Sequence, residues 1–226
     1  MLVTKHVLAV ASSTHATPYY LIRGAHPGPV MIITSGVHGN ETASMAAAQK
    51  LADDCMAGRQ TIQRGLLIII PRVNQKAYEK RIRGNPDLNR TFPRRVSGKG
   101  KHPLASAVFR IAREYGPDWW IDLHEANGLS QLSSRVLGQT LITNPGSRAV
   151  PVCKRIIGQM NRSIANRDRH FNLKQHELPG SARTAAARLL QARSVTVETC
   201  WSLKRSVRIK YQTRIVRHFL WEAGFV

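Results

Sequence analysis

Apolar residues along the chain fall into short continuous runs, separated by segments with helical spacing. Residues 3–11 and 19–23 read as two opening strands placed to form a hairpin, and residues 24–28, with Pro27, break the chain. VMIITS (30–35) is a continuous run of strand length. LLIII, after Gly65, is a second one, and Pro71 ends it. Between them, residues 41–56 carry Met45, Ala48, Leu51 and Ala52 at helical spacing, and residues 104–115 repeat that periodicity until Gly116 and Pro117. WWIDLH follows as a third strand. Residues 125–144 are less regular, with a strand expected near 134–141. Residues 152–166 read as a helix, 168–181 as a polar loop, and 182–192 as an Ala-rich helix. SVTVET (194–199) is a fourth strand, and residues 207–223 form a closing basic amphipathic helix.

Continuous apolar strands alternating with helices predict an α/β domain with a largely parallel or mixed central sheet. No repeat or low-complexity linker interrupts the 226 residues, a length that suits one domain with a sizeable core. No stretch of about 18 or more apolar residues occurs, so no membrane span is expected. The apolar start is broken by Ser12, Ser13, Thr14 and His15, which favours a strand over a signal peptide and gives a cytoplasmic expectation. Cys55, Cys153 and Cys200 are odd in number and far apart, with no CxxC pair, which excludes a thiolate zinc motif and a disulfide framework.

Charge changes the picture. Thirty-four Lys and Arg against thirteen Asp and Glu give a net +21, a field that favours anionic partners: carboxylate substrates, an acidic polymer or nucleic acid. Basic residues cluster at 80–101 and 204–217, with little aromatic interleaving, so a single-strand stacking platform is not indicated. The segment 78–101 is rich in Gly, Pro, Asn and Arg and reads as a long functional loop.

In sheets of this kind ligands bind beyond the carboxyl ends of the strands, and the chemistry-bearing residues sit there. VMIITS runs into Gly36-Val37-His38-Gly39-Asn40-Glu41, WWIDL runs into His124, and SVTV runs into Glu198. A His and a Glu three apart at a strand-to-helix turn can face one ion, and His124 supplies a third ligand. Two His and one carboxylate with a further position open is a catalytic zinc arrangement, although ligand type alone leaves other divalent ions open. Zinc in such a site polarises a carbonyl and lowers the pKa of its water to about 7. Glu198, at the end of an apolar strand, is the candidate general base. On the long loop, Asn89 and Arg90 are candidates to grip a carboxylate. Arg83 or Arg81 is placed to stabilise charge on the attacked oxygen, and Asp87 to accept from the outer nitrogen of a ligand His. Glu125 adds a carboxylate beside His124 that either alters substrate choice or turns outward. Trp119 and Trp120 are expected to pack on helices at opposite faces.

GVHGNE, NPDLNRTFP, DLHEA and VETC, in that order, resemble the zinc carboxypeptidase superfamily, and within it the succinylglutamate desuccinylase/aspartoacylase branch. The resemblance spans about residues 30–200. It implies a three-layer α/β/α sandwich with a mixed, mostly parallel sheet. It also implies one zinc per chain on His38, Glu41 and His124, with Glu198 as general base and acid. Asn89 and Arg90 would then bind a substrate carboxylate, Arg83 or Arg81 would polarise the scissile carbonyl, and Asp87 would support the first zinc His. The expected activity is hydrolysis of an amide bond, with an ester left open, in a carboxylate-bearing N-acyl amino acid or peptide. The resemblance also leads to the expectation of a single catalytic domain over residues 1–226, without the C-terminal β domain usual in aspartoacylase-like enzymes. The charge keeps two alternatives open: a polyanion- or nucleic-acid-binding protein on a hydrolase scaffold, and a peptidase acting on an acidic polymer or cell-wall peptide. The acyl group, the amine and the oligomeric state are not specified by the sequence.

Overall fold

A computed structural model describes residues 1–8, 10 and 16–226. Eight strands form one sheet: β1 (Leu2–Leu8), β2 (Thr17–Arg23), β3 (His26–Ser35), β4 (Arg64–Ile70), β5 (Trp119–Ala126), β6 (Thr140–Thr143), β7 (Asn172–Gln175) and β8 (Arg193–Cys200). Their order across the sheet is β1-β2-β4-β3-β5-β8-β6-β7. The four central strands, β4, β3, β5 and β8, run parallel. The flanks bring the antiparallel pairs: β1 with β2, β2 with β4, and β6 with β8. This is the mixed α/β fold with a parallel centre that the sequence pattern predicts.

The central strands are buried on both faces, which is why they read as unbroken apolar runs. Helices α1 (Thr42–Met56), α4 (Val150–Arg162) and α6 (Arg205–Glu222) cover one face, packing Leu51, Ile156 and Phe219 onto it. Helices α3 (Pro103–Tyr115) and α5 (Ala182–Leu189) cover the other. Strand alternation divides the paired tryptophans as expected. Trp119 meets Phe219 of α6, and Trp120 lies against Phe109 of α3 and Phe92. Local signals set the helix ends. Pro103 opens α3 beside His102, which accepts the Leu104 N–H, and Gly116 closes it in the left-handed region.

The differences from the sequence pattern lie at the edges. β6 occupies Thr140–Thr143, displaced from the expected 134–141, and β7 lies inside the segment read as a loop. β7 is NLKQ, a short, half-exposed outer strand without apolar alternation. β3 begins at His26, through the expected break at Pro27. There it has only β4 as a neighbour, with a register shift before Val30, so the missing proline N–H is tolerated. The five-residue α2 (Gln75–Glu79), started by Asn74 accepting the Ala77 N–H, had no periodicity to announce it. The first strand ends at Leu8; Ala9 and residues 11–15, to which the expected strand extended, lie outside the described residues. Among the described residues, no helix is long and apolar enough to cross a membrane.

One buried carboxylate clamps the helical layer. Asp54 of α1 accepts from Lys50, from Arg59 and, at 3.2 Å, from Arg217 of α6. Burial alone would raise the Asp54 pKa, but the hydrogen bonds and charges of Lys50 and Arg59 hold it below its ordinary value. A depressed folded-state pKa contributes stability that is present above the unfolded carboxylate's pKa and is lost as pH falls through the folded one. Asp54→Asn is therefore expected to cost about 1 kcal/mol at neutral pH, small because the cations are half exposed. It should also flatten the loss of stability below about pH 4 in denaturant titrations across pH.

Candidate metal centre and catalytic site

The parallel register of β3, β5 and β8 brings three strand ends side by side. Ser35 pairs with Leu123, and His124 with Glu198. Past β3 the chain turns at Gly36, whose φ of +65° is costly for other residues. Gly39 lies so close to α2 that a Cβ there would sit 2.0 Å from the Ala77 carbonyl carbon. These two glycines let the chain double back, so that His38 and Glu41 face His124.

The three residues offer ligand atoms that lie within 4.8 Å of one another, and all three are buried. His38 Nδ1 is 2.6 Å from Glu41 Oε1, and His124 Nδ1 is 2.8 Å from Glu41 Oε2. The outer nitrogens are held by carboxylates. His38 Nε2 donates to Asp87 Oδ1 at 2.9 Å and His124 Nε2 to Asp122 Oδ2 at 2.8 Å. Since a carboxylate only accepts, each Nε2 carries a proton outward to its aspartate, and each Nδ1 faces Glu41, where a bound metal would replace the proton that Glu41 otherwise accepts. Asp122 is in turn held by the Thr34 hydroxyl at 2.7 Å, and Thr34 accepts from the Trp120 indole. Asp87 accepts from the Asn89 N–H and from Arg83.

Glu198 is buried beside this cluster, and its Oε2 has no hydrogen-bond partner. Burial pushes its carboxyl up to about 8; the His124 charge opposes this, Glu41 and Asp122 add to it, and Arg83 opposes it. Burial alone would also raise Glu41, but His124 and His38 pull it down to about 2. Asp87 lies well below the usual carboxylate range, since His38 and Arg83 outweigh its burial. His124 is raised well above its ordinary value by Asp122 and Glu41, against its burial. Four carboxylates thus meet at two imidazoles inside a chain of net +21. Two imidazoles and one carboxylate with their ligand atoms this close form a donor set that fits a divalent ion.

The structure brings together His38, Glu41, His124, Asp87 and Glu198. It separates the two arginine candidates. Arg83 Nη1 lies 3.9 Å from Glu41 Oε1, whereas Arg81 turns away onto the Tyr78 ring, 4.0 Å from its centroid. Asn89 is buried, and its Oδ1 accepts the Ala182 N–H at the start of α5, which leaves its amide N–H₂ uncommitted. Arg90 is half exposed on the same 3-10 turn, its Nη1 3.6 Å from Asp87.

Glu125 takes neither expected course. It points to the sheet face opposite His124, is buried, accepts the Ala43 N–H at 2.8 Å and pairs with Arg208 of α6. It caps α1 immediately after Glu41. Three further residues were not singled out from the sequence. Asp122, the alternate residue of an apolar strand, gave only the weak signal of a charge in a buried run. Gln212 of α6 donates to the His124 carbonyl at 2.8 Å. Arg183 of α5 is fully buried, donates to the Asn144 side-chain Oδ1 and feels the charges of Asp122 and Glu198.

Asp122→Asn should lower divalent-metal affinity about 10–100-fold with the fold intact, read by competition with a chelating dye. Glu125→Ala strands Arg208 and uncaps α1. It is expected to cost about 3 kcal/mol in denaturant unfolding, more than Asp122→Asn costs.

Comparison with known proteins bears on the fold and the family. The family model of the succinylglutamate desuccinylase/aspartoacylase catalytic domain matches residues 27–198. A succinylglutamate desuccinylase of Burkholderia orbicola is 33% identical over 107 residues, which cover 42% of this chain and 31% of that protein. The apo cell shape determinant protein Csd4 of Helicobacter pylori superposes with a TM-score of 0.73 at 15% identity, over 100% of this chain and 55% of Csd4. An aspartoacylase family protein of Mesorhizobium loti superposes at 0.71 with 20% identity, over 99% of this chain and 68% of its own. The chain thus spans about a third of the curated relative it matches and about half of Csd4. The chain belongs to the succinylglutamate desuccinylase/aspartoacylase catalytic-domain family.

Proposed function

We propose that this chain is a zinc-dependent amidohydrolase acting on a carboxylate-bearing N-acyl amino acid or peptide, with His38, Glu41 and His124 holding the metal. The observation that carries this reading is the pair of buried histidines, each tied outward to an aspartate and inward to one glutamate, beside a buried Glu198 oxygen without a partner. A zinc ion held there supplies Lewis acidity, polarising a carbonyl and acidifying water.

The remaining roles belong to the chain's own side chains. Glu198 Oε2 takes a proton from the attacking water and returns it to the leaving amine, which a carboxylate free of other hydrogen bonds can do. A positive ion beside Glu198 lowers its raised pKa, so the group is ionised when the centre is loaded. Arg83 donates to the carbonyl oxygen as negative charge builds on it. The Asn89 amide and the Arg90 guanidinium are both pure donors here, as a substrate carboxylate requires. Asp87 and Asp122 hold the imidazoles in the tautomer that leaves Nδ1 for the metal.

A peptide substrate is a second form of the same reading. Csd4 is described as a D,L-carboxypeptidase and has been solved with mDAP bound, and the Arg-rich loop after α2 offers an anionic peptide further contacts. A polyanion-binding role without catalysis gives no physical reason for Glu198 to stay buried and unpartnered beside the histidines.

The test combines metal analysis with a substrate screen. Purified protein should hold or take up about one zinc per chain. N-acyl amino acids and peptides with free C-termini, some containing mDAP, are then assayed with wild type and Glu198→Gln. Hydrolysis should fall about 10²–10⁴-fold in Glu198→Gln while zinc is retained. Protein that neither carries nor takes up zinc would sink the proposal, as would equal activity in the two forms.

A further inference from the structure

A cavity of about 720 Å³ lies on the solvent side of α1, lined by Thr42, Met45 and Gln49 of that helix together with Arg72, Tyr78, Arg81 and Arg205. None of His38, Glu41, His124 or Glu198 lines it. Arg72 and Arg81 lie 4.4 and 4.0 Å from the centroid of the Tyr78 ring. Both guanidiniums are thus held against one ring. Arg81 Nη2 also donates to the Tyr78 hydroxyl at 3.2 Å. It does so from a left-handed backbone, φ +54°, a conformation that costs a non-glycine residue free energy. Arg205, at the start of α6, donates to the Thr42 hydroxyl and carbonyl. Its charge reaches the phenol: the Arg81 hydrogen bond, and then the charges of Arg72, Arg81 and Arg205, lower the Tyr78 pKa against its burial.

Among the described residues, none of these three arginines has a carboxylate partner. The acids at the other end of the cavity are already engaged, Asp54 by Lys50, Arg59 and Arg217, and Asp53 by Gln49. Three cations at one end of the cavity, apart from Asp53 and Asp54 at the other, form an anion-attracting wall.

We propose that this cavity is a second, non-catalytic site that binds a phosphate dianion, either free or as the phosphomonoester of a small molecule. Phosphate fits better than carboxylate. A carboxylate is planar and satisfied by one guanidinium fork, whereas a tetrahedral dianion presents acceptor oxygens in several directions to donors on separate walls. The cavity is larger than a phosphate group needs and leaves room for the remainder of an ester. The Arg81 end of the site is one residue removed from Arg83, so an occupied cavity holds the segment that also reaches the metal centre. The proposal stands whether or not the catalytic reading is right.

The test is calorimetric titration of the metal-stripped chain with inorganic phosphate and, separately, glycerol phosphate, at fixed ionic strength in chloride. Acetate, polyglutamate and a DNA duplex serve as competitors. Wild type should show one saturable site per chain. The affinity should fall about tenfold or more in Arg72→Gln/Arg205→Gln, and be unchanged in Arg162→Gln, exposed in the last turn of α4. Arg81→Asn is a second probe that keeps the fold, because Asn tolerates the left-handed conformation. Tighter binding of glycerol phosphate than of free phosphate would identify an ester ligand, and equal binding would identify phosphate itself. Three results would overturn the proposal: no saturation below about 10 mM phosphate, equal affinity in the folded cavity variants and wild type, or displacement by acetate, polyglutamate or DNA at lower charge equivalents than phosphate.

Discussion

The hydrogen bond from Thr34 to Asp122 joins β3 to β5 in the middle of the sheet, where neither residue meets solvent. Asp122 spends its other oxygen on His124, two residues further along the same strand. A charge in this position is tolerated only if something positive is fixed beside it. The imidazole meets that requirement. The pairing therefore ties strand register to chemistry. If β3 slipped by one residue against β5, Thr34 would lose Asp122, and the side chains of the whole strand would exchange faces. The turn from Gly36 to Glu41 would then miss His124. The same register carries Glu198 of β8 opposite His124, so the proposed base is positioned by the sheet and not by a loop.

Charge is distributed with the same logic. The chain has few acids, yet four of them, Glu41, Asp87, Asp122 and Glu198, converge on one small volume. The cations surround that volume from outside, with Arg83 at its mouth and Arg90 beside it. A negative interior behind a positive rim suits a site that retains a cation and attracts an anion. The excess positive charge is then a long-range field around the domain, and the particular contacts are made by a few arginines held in place.

Much of this was legible in the sequence, because buried parallel strands and strand-end ligands leave a local signature. Unbroken apolar runs, each followed by a polar residue of unusual type, placed His38, His124 and Glu198 correctly at the strand ends. What could not be read was decided by tertiary contact. Arg81 and Arg83 are equivalent by spacing, and they part only because Tyr78 offers a ring to one and Asp87 a carboxylate to the other. Glu125 looked like a site residue by adjacency to His124. Strand alternation sends it to the opposite face, where the open N-terminus of α1 and Arg208 wait for it. Short outer strands such as β7 carry no apolar alternation, since they bury too little to need it.

The long loop shows how an irregular segment becomes part of a rigid site. Asn89 Oδ1 accepts the first N–H of α5, and the Phe92 N–H donates to the Gly180 carbonyl just before that helix. Asp87 bonds the Asn89 N–H and His38 with one oxygen, and Arg83 with the other. The turn is thus anchored at one side to the helical layer and at the other to the metal centre. With its oxygen committed, Asn89 can only donate, and the neighbouring guanidinium of Arg90 can only donate as well. A cationic or purely apolar ligand finds no partner there. The polarity of the clamp is therefore set by α5, an element that carries none of the residues proposed for catalysis, and the proposed preference for an anionic substrate rests on how the loop is fastened.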